Sequence, residues 1–304
     1  MTRTRRLGLA LVIDLAIAAA EAVGGGIAHS AGLLATAGHD LADGGALALA
    51  LVGAFLVRRP ATPERSFGFH RVTILTALAN AVALVLVSIL VGYLAVRRLI
   101  HPVAVDGGLV VVFAAVALLG NGLAAFVVHD RSRDLNMKAA ALHLAGDALA
   151  ALGVLSAGAV IAITGGFNRL DPAVSLGIAV LVVFEAVALV RQSVDVLLES
   201  TPPDLSLKAV AEVIRDDPHV TDVHDLHCWS LSNEVRACSA HLVLSGHPSL
   251  EEAQAIGESV KARLDERCDI AHATLELECE RCAAPPEDTC AIDASPRLRA
   301  VSGE

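Results

Sequence analysis

Residues 39–43 read His-Asp-Leu-Ala-Asp, and residues 143–147 read His-Leu-Ala-Gly-Asp. Each stretch lies inside a long apolar segment and places a histidine four residues before an aspartate. Positions i and i+4 lie one above the other on a helix face, so each stretch predicts an imidazole beside a carboxylate. Two such helices facing each other bring together two nitrogens and two oxygens, a set that holds Zn²⁺ tetrahedrally. The predicted ligands are His39, Asp43, His143 and Asp147.

A structural polar cluster is the alternative interpretation of the two stretches, because polar residues inside apolar helices often only hydrogen-bond to each other. A charged group at the centre of a bilayer costs roughly 2.5–3.5 kcal/mol on insertion scales, so such residues are rare there and are usually functional. The same pair occurs twice, and this repetition favours the metal site.

Hydrophobicity and charge divide the chain into two parts. The 304 residues are 55% hydrophobic and only 3% aromatic. Residues 1–200 carry 14 basic and 13 acidic side chains, whereas residues 201–304 carry 9 and 20. This distribution predicts a membrane part followed by an acidic soluble domain, and the negative charge argues against nucleic acid as a partner. All six cysteines follow residue 200, which predicts free thiols or metal ligands in a reducing compartment.

Six apolar segments are long enough to cross a bilayer about 30 Å thick. They are predicted at 8–28, 32–57, 72–96, 108–129, 138–164 and 171–198. The predicted fold class is therefore an α-helical membrane protein with six transmembrane helices and a small cytoplasmic α+β domain. The predicted domains are a transmembrane domain at 1–200, a cytoplasmic metal-binding and dimerisation domain at 201–282, and a disordered tail at 283–304.

The basic residues predict the orientation, since lysine and arginine concentrate in cytoplasmic loops. Eleven of them flank one side of the six spans and three flank the other. We therefore expect a multi-pass protein of the cell's inner (plasma) membrane, surrounded by lipid, with both termini in the cytoplasm. Within the first span, Asp14 and Glu21 share one face, which is directed at the bundle interior or lines a polar path. Asn80 and Asn121 predict hydrogen bonds between helices.

The soluble part has the predicted order αββαβ. Helices are expected at 205–215 and 250–264 and strands at 220–231, 234–244 and 271–279. Ser249 followed by Glu252 has the spacing of a capping box at the start of the second helix. Strand alternation places His224, Leu226 and Cys228 on one face. Cys279 and Cys282 form a C-x-x-C pair, which on its own is a weak sign of zinc capture.

Several motifs together resemble the cation diffusion facilitator family of metal transporters. Around the histidine motifs they are Ala37-Gly38-His39 with Asp43, and Leu142-His143 with Gly146-Asp147. Between the spans they are Ser66-Phe67-Gly68 and Arg97-Arg98-Leu99-Ile100-His101-Pro102. Asp171-Pro172 and the segment 197–202 flank the sixth span, and His224-Asp225-Leu226-His227 with Ala240-His241-Leu242 mark the soluble domain.

The resemblance implies a homodimeric exporter of divalent cations that is driven by proton antiport. Zn²⁺ is the implied substrate and Cd²⁺ a second one, with the two His-x-x-x-Asp pairs as the transport site. It further implies a metallochaperone-like cytoplasmic domain with a zinc site near the dimer contact. The candidate residues there are His224, His241, His272, Glu276 and Glu278. Zinc is thus expected both as substrate and as regulatory ligand, and no organic cofactor is expected.

Other classes of function have weaker support. An intramembrane metalloenzyme needs an open metal position and a general base, usually in a His-Glu-x-x-His helix, and the sequence has no such motif. Residues 24–26 are three glycines, but they lack the Gly-Lys-Ser/Thr ending of an ATP-binding loop. Two alternatives stay open: a membrane-anchored metal sensor without flux, and a carrier that prefers Co²⁺, Fe²⁺ or Mn²⁺.

Overall fold

The computed structural model describes residues 3–128, 135–232 and 235–280. The chain divides into two compact units. One unit contains the greater part of six long helices, and the other contains the soluble domain together with residues 57–74 and the end of the sixth helix. We describe each unit by itself.

The first unit confirms the six predicted helices. They are α1 (Arg3–Ala28), α2 (Ala31–Val57), α3 (Val72–Ile100), α4 (Gly107–Val128), α5 (Leu135–Thr164) and α6 (Leu170–Leu197). Each has the length and composition of a membrane span. The boundaries agree with the predicted ones to within a few residues because apolar composition and the flanking proline and glycine residues fix them.

Small residues allow the helices to approach closely. Helices α4 and α5 are in contact, and a Cβ atom added to Gly107 would lie 2.5 Å from the backbone nitrogen of Ala162. The ring of Phe113 in α4 packs directly against Gly24 of α1, where a Cβ atom would overlap with it. Close backbone approach of this kind is typical of membrane helices, where van der Waals packing replaces the hydrophobic effect between helices.

The outer surface of the bundle is apolar. Leu119, Phe126, Ile163 and Phe184 are 73%, 77%, 85% and 72% exposed, and many other large apolar side chains share this exposure. In water such continuous apolar faces cause association. A lipid environment solvates them instead, so the surface agrees with a multi-pass membrane protein.

The soluble domain has the predicted αββαβ order. Its elements are α7 (Leu207–Arg215), β1 (Val220–Ser230), β2 (Arg236–Leu244), α8 (Leu250–Cys268) and β3 (His272–Glu278). The sheet order is β1-β2-β3, with β1 antiparallel and β3 parallel to the central strand. Helix α8 makes the crossover between the parallel strands, and it packs with α7 over an apolar core that includes Val210, Val260 and Leu264.

The predicted capping box at the start of α8 is confirmed. The Ser249 hydroxyl accepts the backbone N–H of Glu252, and the Glu252 carboxylate accepts the backbone N–H of Ser249. Backbone contact with Ser249 holds the pKa of the Glu252 carboxyl below its usual range. The start of the helix is therefore set by local sequence.

The predicted alternation along β1 is wrong over four residues. The ladder with β2 has an irregularity between His224 and His227, where Asp225 has a φ of +49°. This bulge shifts the following residues, so Leu226 and Cys228 pack in the core with Val223 while His224 faces the other side. A bulge adds one residue to a strand and reverses the faces beyond it.

Candidate metal transport site

The two His-x-x-x-Asp motifs meet between α2 and α5. The Nε2 atom of His39 lies 3.5 Å from Oδ2 of Asp43 and 3.6 Å from Oδ1 of Asp147. The Nε2 atom of His143 lies 3.1 Å from Oδ2 of Asp43 and 3.8 Å from Oδ2 of Asp147. Each histidine thus approaches its own helix's aspartate and that of the other helix, as expected for one four-residue cluster. We call these four residues the membrane cluster.

The spacing of the membrane cluster suits a tetrahedral dication. Bonds of 2.0–2.2 Å to Zn²⁺ place neighbouring ligand atoms about 3.3–3.5 Å apart. The four separations in the cluster range from 3.1 to 3.8 Å. Asp147 is 7% exposed and His143 is 48% exposed, so one side of the cluster is closed by the protein and the other is accessible.

A buried aspartate that the sequence reasoning did not single out as functional fixes the start of α2. Asp171 in the first turn of α6 accepts the backbone N–H groups of Ala31 (2.6 Å) and Gly32 (3.2 Å). It also accepts the hydroxyl of Ser30, and the Ser175 hydroxyl donates to the carbonyl oxygen of Ala31. A carboxylate at a helix N-terminus satisfies free N–H groups and interacts favourably with the helix dipole. The helix that carries His39 and Asp43 is therefore held in register with α6.

Two cavities adjoin the membrane cluster. The larger has a volume of about 490 Å³ and lies between α5 and α6, with His39, His143 and Asp147 in its wall. The smaller has a volume of about 160 Å³ and is lined by residues that include Asp43 and Asn80. Glu185 of α6 lines both cavities. The sequence reasoning missed Glu185, although an ionisable residue inside an apolar span is by itself a signal of function.

A second group of polar residues lies within the helices beside the membrane cluster. Glu21, Asp40 and Asn121 are each 2% exposed, and one oxygen of each has no hydrogen-bond partner. Glu21 contacts Thr36 and Asp40. The predicted inward direction of Glu21 agrees with this burial. Asp40 adjoins His39 in sequence but turns away from the ligands because successive helix positions point about 100° apart.

The soluble domain contains a second cluster, formed by His224 on β1, His241 on β2 and Glu278 on β3. Nδ1 of His241 lies 2.9 Å from one oxygen of Glu278, and Nε2 of His224 lies 3.4 Å from the other. One ligand atom from each residue lies within 4.8 Å of the others. Glu276 and Asp225 approach Nε2 of His241 at 3.4 and 3.5 Å. We call His224, His241 and Glu278 the domain cluster.

The chemistry of the domain cluster fits a metal ion. The side chain of His224 is only 8% exposed, and both of its ring nitrogens are buried without a hydrogen-bond partner. A buried polar atom without a partner is unfavourable unless a ligand satisfies it. The carboxylate of Glu278 faces this ring at 3.4 Å, so a cation between them would satisfy the unpartnered ring nitrogen.

Other predicted ligands do not belong to the domain cluster. His272 begins β3 four residues before Glu276, and its ring packs edge-on against Phe67 with 5.6 Å between the ring centroids. His272 is thus not among the three residues of the domain cluster, and its role as a ligand stays a prediction. Cys279 is exposed, and Cys282 lies outside the described residues, so the C-x-x-C pair stays a prediction.

Three of the cysteines belong to the core of the soluble domain. Cys228, Cys238 and Cys268 are free and buried. Contact with Cys238 and burial raise the pKa of the Cys228 thiol, and burial raises the pKa of Cys268. Raised pKa values keep Cys228 and Cys268 neutral, and neutral thiols are poor metal ligands. Their burial agrees with the prediction of free thiols.

Comparison with known proteins relates both units to one family. The family model described as "Cation efflux transmembrane domain" matches residues 7–198, and the model described as "Cation efflux protein, cytoplasmic domain" matches residues 202–280. The zinc transporter ZitB of Escherichia coli (strain K12) is 35% identical over 285 residues, which cover 92% of this chain and 89% of that protein.

Two further relatives extend the likeness. The cadmium, cobalt and zinc/H(+)-K(+) antiporter of Bacillus velezensis is 32% identical over 261 residues, covering 85% of this chain and 83% of the relative. The probable proton-coupled zinc antiporter SLC30A3 of Bos taurus is 31% identical over 321 residues, covering 94% and 82%.

Six membrane-length helices with a candidate His/Asp metal cluster between them are typical of multi-pass cation transporters. Within that class, this chain belongs to the cation efflux family, which is also called the cation diffusion facilitator family. The resemblance read from the sequence motifs is confirmed. The protein is accordingly a secondary transporter rather than an enzyme.

Proposed function

We propose that this protein exports divalent metal ions, Zn²⁺ foremost and Cd²⁺ as a second substrate, from the cytoplasm in exchange for protons. The membrane cluster holds the ion during transport, through His39, Asp43, His143 and Asp147. The observation that carries the proposal is the set of four nitrogen-to-oxygen separations of 3.1–3.8 Å between two facing helices. The substrates named for the relatives support the choice of metal.

Proton competition supplies the exchange. Metal binding requires a neutral imidazole and an ionised carboxylate, so each proton taken up by the cluster opposes the metal. Imidazole titrates within the physiological range, which makes the two histidines suitable for this exchange. The cluster facing the cytoplasm loads the dication and releases protons. The cluster facing the opposite side takes up protons and releases the dication, and the protein alternates between these two states.

The ligand set favours zinc over harder metals. Imidazole nitrogens suit Zn²⁺, whereas Mn²⁺ prefers sites built from carboxylate, carbonyl and water oxygens. Co²⁺ and Fe²⁺ also accept nitrogen ligands, and cobalt appears in the name of one relative. A carrier that prefers one of these metals is therefore the alternative within the same class, and uptake measured with each metal separates them.

The domain cluster supports a regulatory role for zinc. His224, His241 and Glu278 would hold the ion, and the exposed carboxylate of Glu276 lies near enough to His241 to assist. The short name of the matched domain model, ZT_dimer, supports a homodimer. Zinc bound in the domain of each protomer would favour one conformation of the dimer over another and so alter transport.

A membrane-anchored metal sensor is the second candidate function, because the soluble domain has a candidate metal cluster of its own. A sensor would bind metal in that domain without moving ions across the bilayer. Flux across sealed vesicles therefore separates the two functions.

The orientation can be tested through the cysteines, since all six follow residue 200 and Cys279 is exposed. We expect a multi-pass protein in the inner membrane with both termini in the cytoplasm, in contact with lipid. A membrane-impermeant thiol reagent should then label the protein only after the inner membrane has been permeabilised. Labelling of intact spheroplasts would contradict the proposed orientation and place the soluble domain outside the cytoplasm.

The decisive experiment measures Zn²⁺ uptake into proteoliposomes with and without an imposed pH gradient. The wild-type protein should move zinc in one direction and protons in the other. Asp147→Ala should abolish both movements, because it removes a ligand from the buried side of the cluster. Asp195→Ala, which removes a carboxylate of α6 that borders neither cavity, is the control and should retain both movements. Full zinc-driven proton flux in Asp147→Ala would rule out the proposed site.

A further inference from the structure

Glu185 stands apart from the four predicted ligands but adjoins them. It is the ionisable residue of α6 among those that border both cavities, and His39 and His143 border the same two cavities. None of the hydrogen bonds or ion pairs formed among the described residues involves its carboxylate. Ionisable residues inside apolar spans are rare and usually functional. The side chain of Glu185 is exposed in the single chain, so its carboxylate is accessible to an ion that enters these cavities.

The depth of Glu185 follows from the pairing of α2 with α6. The two helices begin at the same level because Asp171 accepts the N–H of Ala31. At a rise of 1.5 Å per residue, Asp43 lies about 18 Å and Glu185 about 21 Å from that level. Glu185 therefore lies slightly beyond the membrane cluster, toward the end where α2 and α6 finish. The basic residues assign that end to the cytoplasm.

The smaller cavity connects Glu185 with the ligands. Its wall contains the ligands Asp43 and His143 together with Asn80, Glu185 and Leu189. A volume of about 160 Å³ accommodates roughly five water molecules, at about 30 Å³ each. The cavity is thus large enough for a partly hydrated dication beside the cluster. Its polar side chains supply oxygen atoms, which suit an ion that still carries water.

We propose that Glu185 captures the incoming dication in this cavity and passes it to the membrane cluster, an inference that rests on the proposed export function. A carboxylate at the wall of a cleft that is otherwise lined mainly by apolar residues concentrates cations and raises their rate of arrival. Its position outside the four-ligand set means that it acts before the ion is fully coordinated. Removing its charge should therefore slow capture and raise KM, and it should leave the maximal transport rate nearly unchanged.

Transport kinetics in proteoliposomes test the proposal with a conservative pair of variants. Glu185→Gln should raise the KM for Zn²⁺ about tenfold, the lower end of the effect of electrostatic focusing, and change the maximal rate less than about twofold. Glu185→Asp keeps the charge and should restore most of the wild-type KM. Asp195→Asn removes a carboxylate of the same helix that borders neither cavity, and its KM should equal that of the wild type.

A binding measurement separates this proposal from the export function itself. Co²⁺ bound by the full-length protein in detergent can be followed through its visible absorption in stopped-flow experiments. Glu185→Gln should slow Co²⁺ association about tenfold and leave the final spectrum unchanged, because the same four ligands hold the ion. If the wild type transports nothing, the export function fails, but slowed association would still support capture by Glu185.

Three results would overturn the capture role. The first is an unchanged KM with an unchanged association rate. The second is a loss of maximal rate at constant KM, which would indicate a proton-transfer or structural role. The third is an altered Co²⁺ spectrum, which would make Glu185 a ligand of the bound ion.

Discussion

The two candidate metal clusters use similar residues but are built in different ways. The membrane cluster combines two helical His-x-x-x-Asp pairs, so each half is complete within one turn of its helix. The domain cluster takes one residue from each of three strands, and a bulge at Asp225 directly after His224 turns the following residues to the other face. The first depends on local spacing and one helix contact, whereas the second depends on strand order, register and an irregularity.

This difference explains why the two clusters are expected to differ in function. The membrane cluster has one accessible side and adjoins two cavities, which suits an ion that enters and leaves. The domain cluster is more enclosed, since His224, His241 and Glu278 are 8%, 27% and 7% exposed, whereas His143 of the membrane cluster is 48% exposed. A closed site suits an ion that stays bound and stabilises a conformation.

The largest expected effect compares one histidine from each cluster. His39→Ala should lower zinc flux by at least about 100-fold, because even outer-shell partners of metal ligands contribute 10–100-fold. His241→Ala should lower flux less than about tenfold, since regulation shifts a population rather than removing the transport site. Initial rates of uptake measure both. Equal losses in the two variants would remove the distinction between a transport and a regulatory cluster.

The hydrogen bonds that hold the start of α2, and with it the membrane cluster, can be tested through Asp171. Asp171→Asn leaves an N–H group of Ala31 or Gly32 without its acceptor, and the expected loss of stability is about 1–3 kcal/mol. Thermal unfolding in detergent should record it, together with slower zinc flux. Ser175→Ala removes a single hydroxyl hydrogen bond to Ala31 and should cost about 1 kcal/mol. Wild-type flux and stability in Asp171→Asn would show that the start of α2 needs no anchor.

The contribution of the β1 bulge at Asp225 to the domain cluster can be tested by substitution. Asp225→Val places a β-branched residue at a φ of +49°, and we expect a loss of about 1–2 kcal/mol with weaker zinc binding to the domain. Asp225→Asn is the matched control, because asparagine tolerates this backbone conformation. Fluorescence of Trp229, the single tryptophan, follows unfolding of the domain. Equal stability of the two variants would show that the bulge is not required.

The smallest expected effect is the contribution of Asp217 to the stability of the soluble domain in acid. Burial alone would raise the pKa of Asp217, but hydrogen bonds from Arg263 and His219 outweigh it, and the pKa lies below its usual value. A lowered pKa in the folded state stabilises the domain above the unfolded pKa of about 3.9, and this contribution disappears as the pH falls through the folded value. Zinc binding, by contrast, requires neutral imidazoles, which titrate near pH 6.5 when unperturbed. We therefore expect zinc to leave the domain cluster at a higher pH than that at which the domain unfolds.

Arg263→Gln tests this contribution, because it removes the charged partner of Asp217 at 2.8 Å. At neutral pH the variant should lose about 1 kcal/mol, and its stability should decline less steeply in acid than that of the wild type. Trp229 fluorescence during acid titration measures the decline. A titration curve parallel to that of the wild type would contradict the role of Asp217.

Much of the fold could be predicted because its signals are local. Apolar length fixed the six spans, and strand alternation with turn residues fixed the αββαβ order. The capping box fixed the start of α8. The bulge in β1 could not be predicted, because the sequence does not show which residue a neighbouring strand leaves unpaired. The faces assigned to His224 and Cys228 were wrong for that reason.

The candidate sites divide in the same way. The pairing of His39 with Asp43 and of His143 with Asp147 is a property of helix geometry, so the sequence by itself determined each half of the membrane cluster. Only the tertiary structure decided that the halves meet, that Asp171 anchors α2, that Glu185 borders both cavities and that His272 lies apart from His241. Such contacts join residues far apart in the chain, and they depend on how whole helices and strands pack rather than on any local spacing.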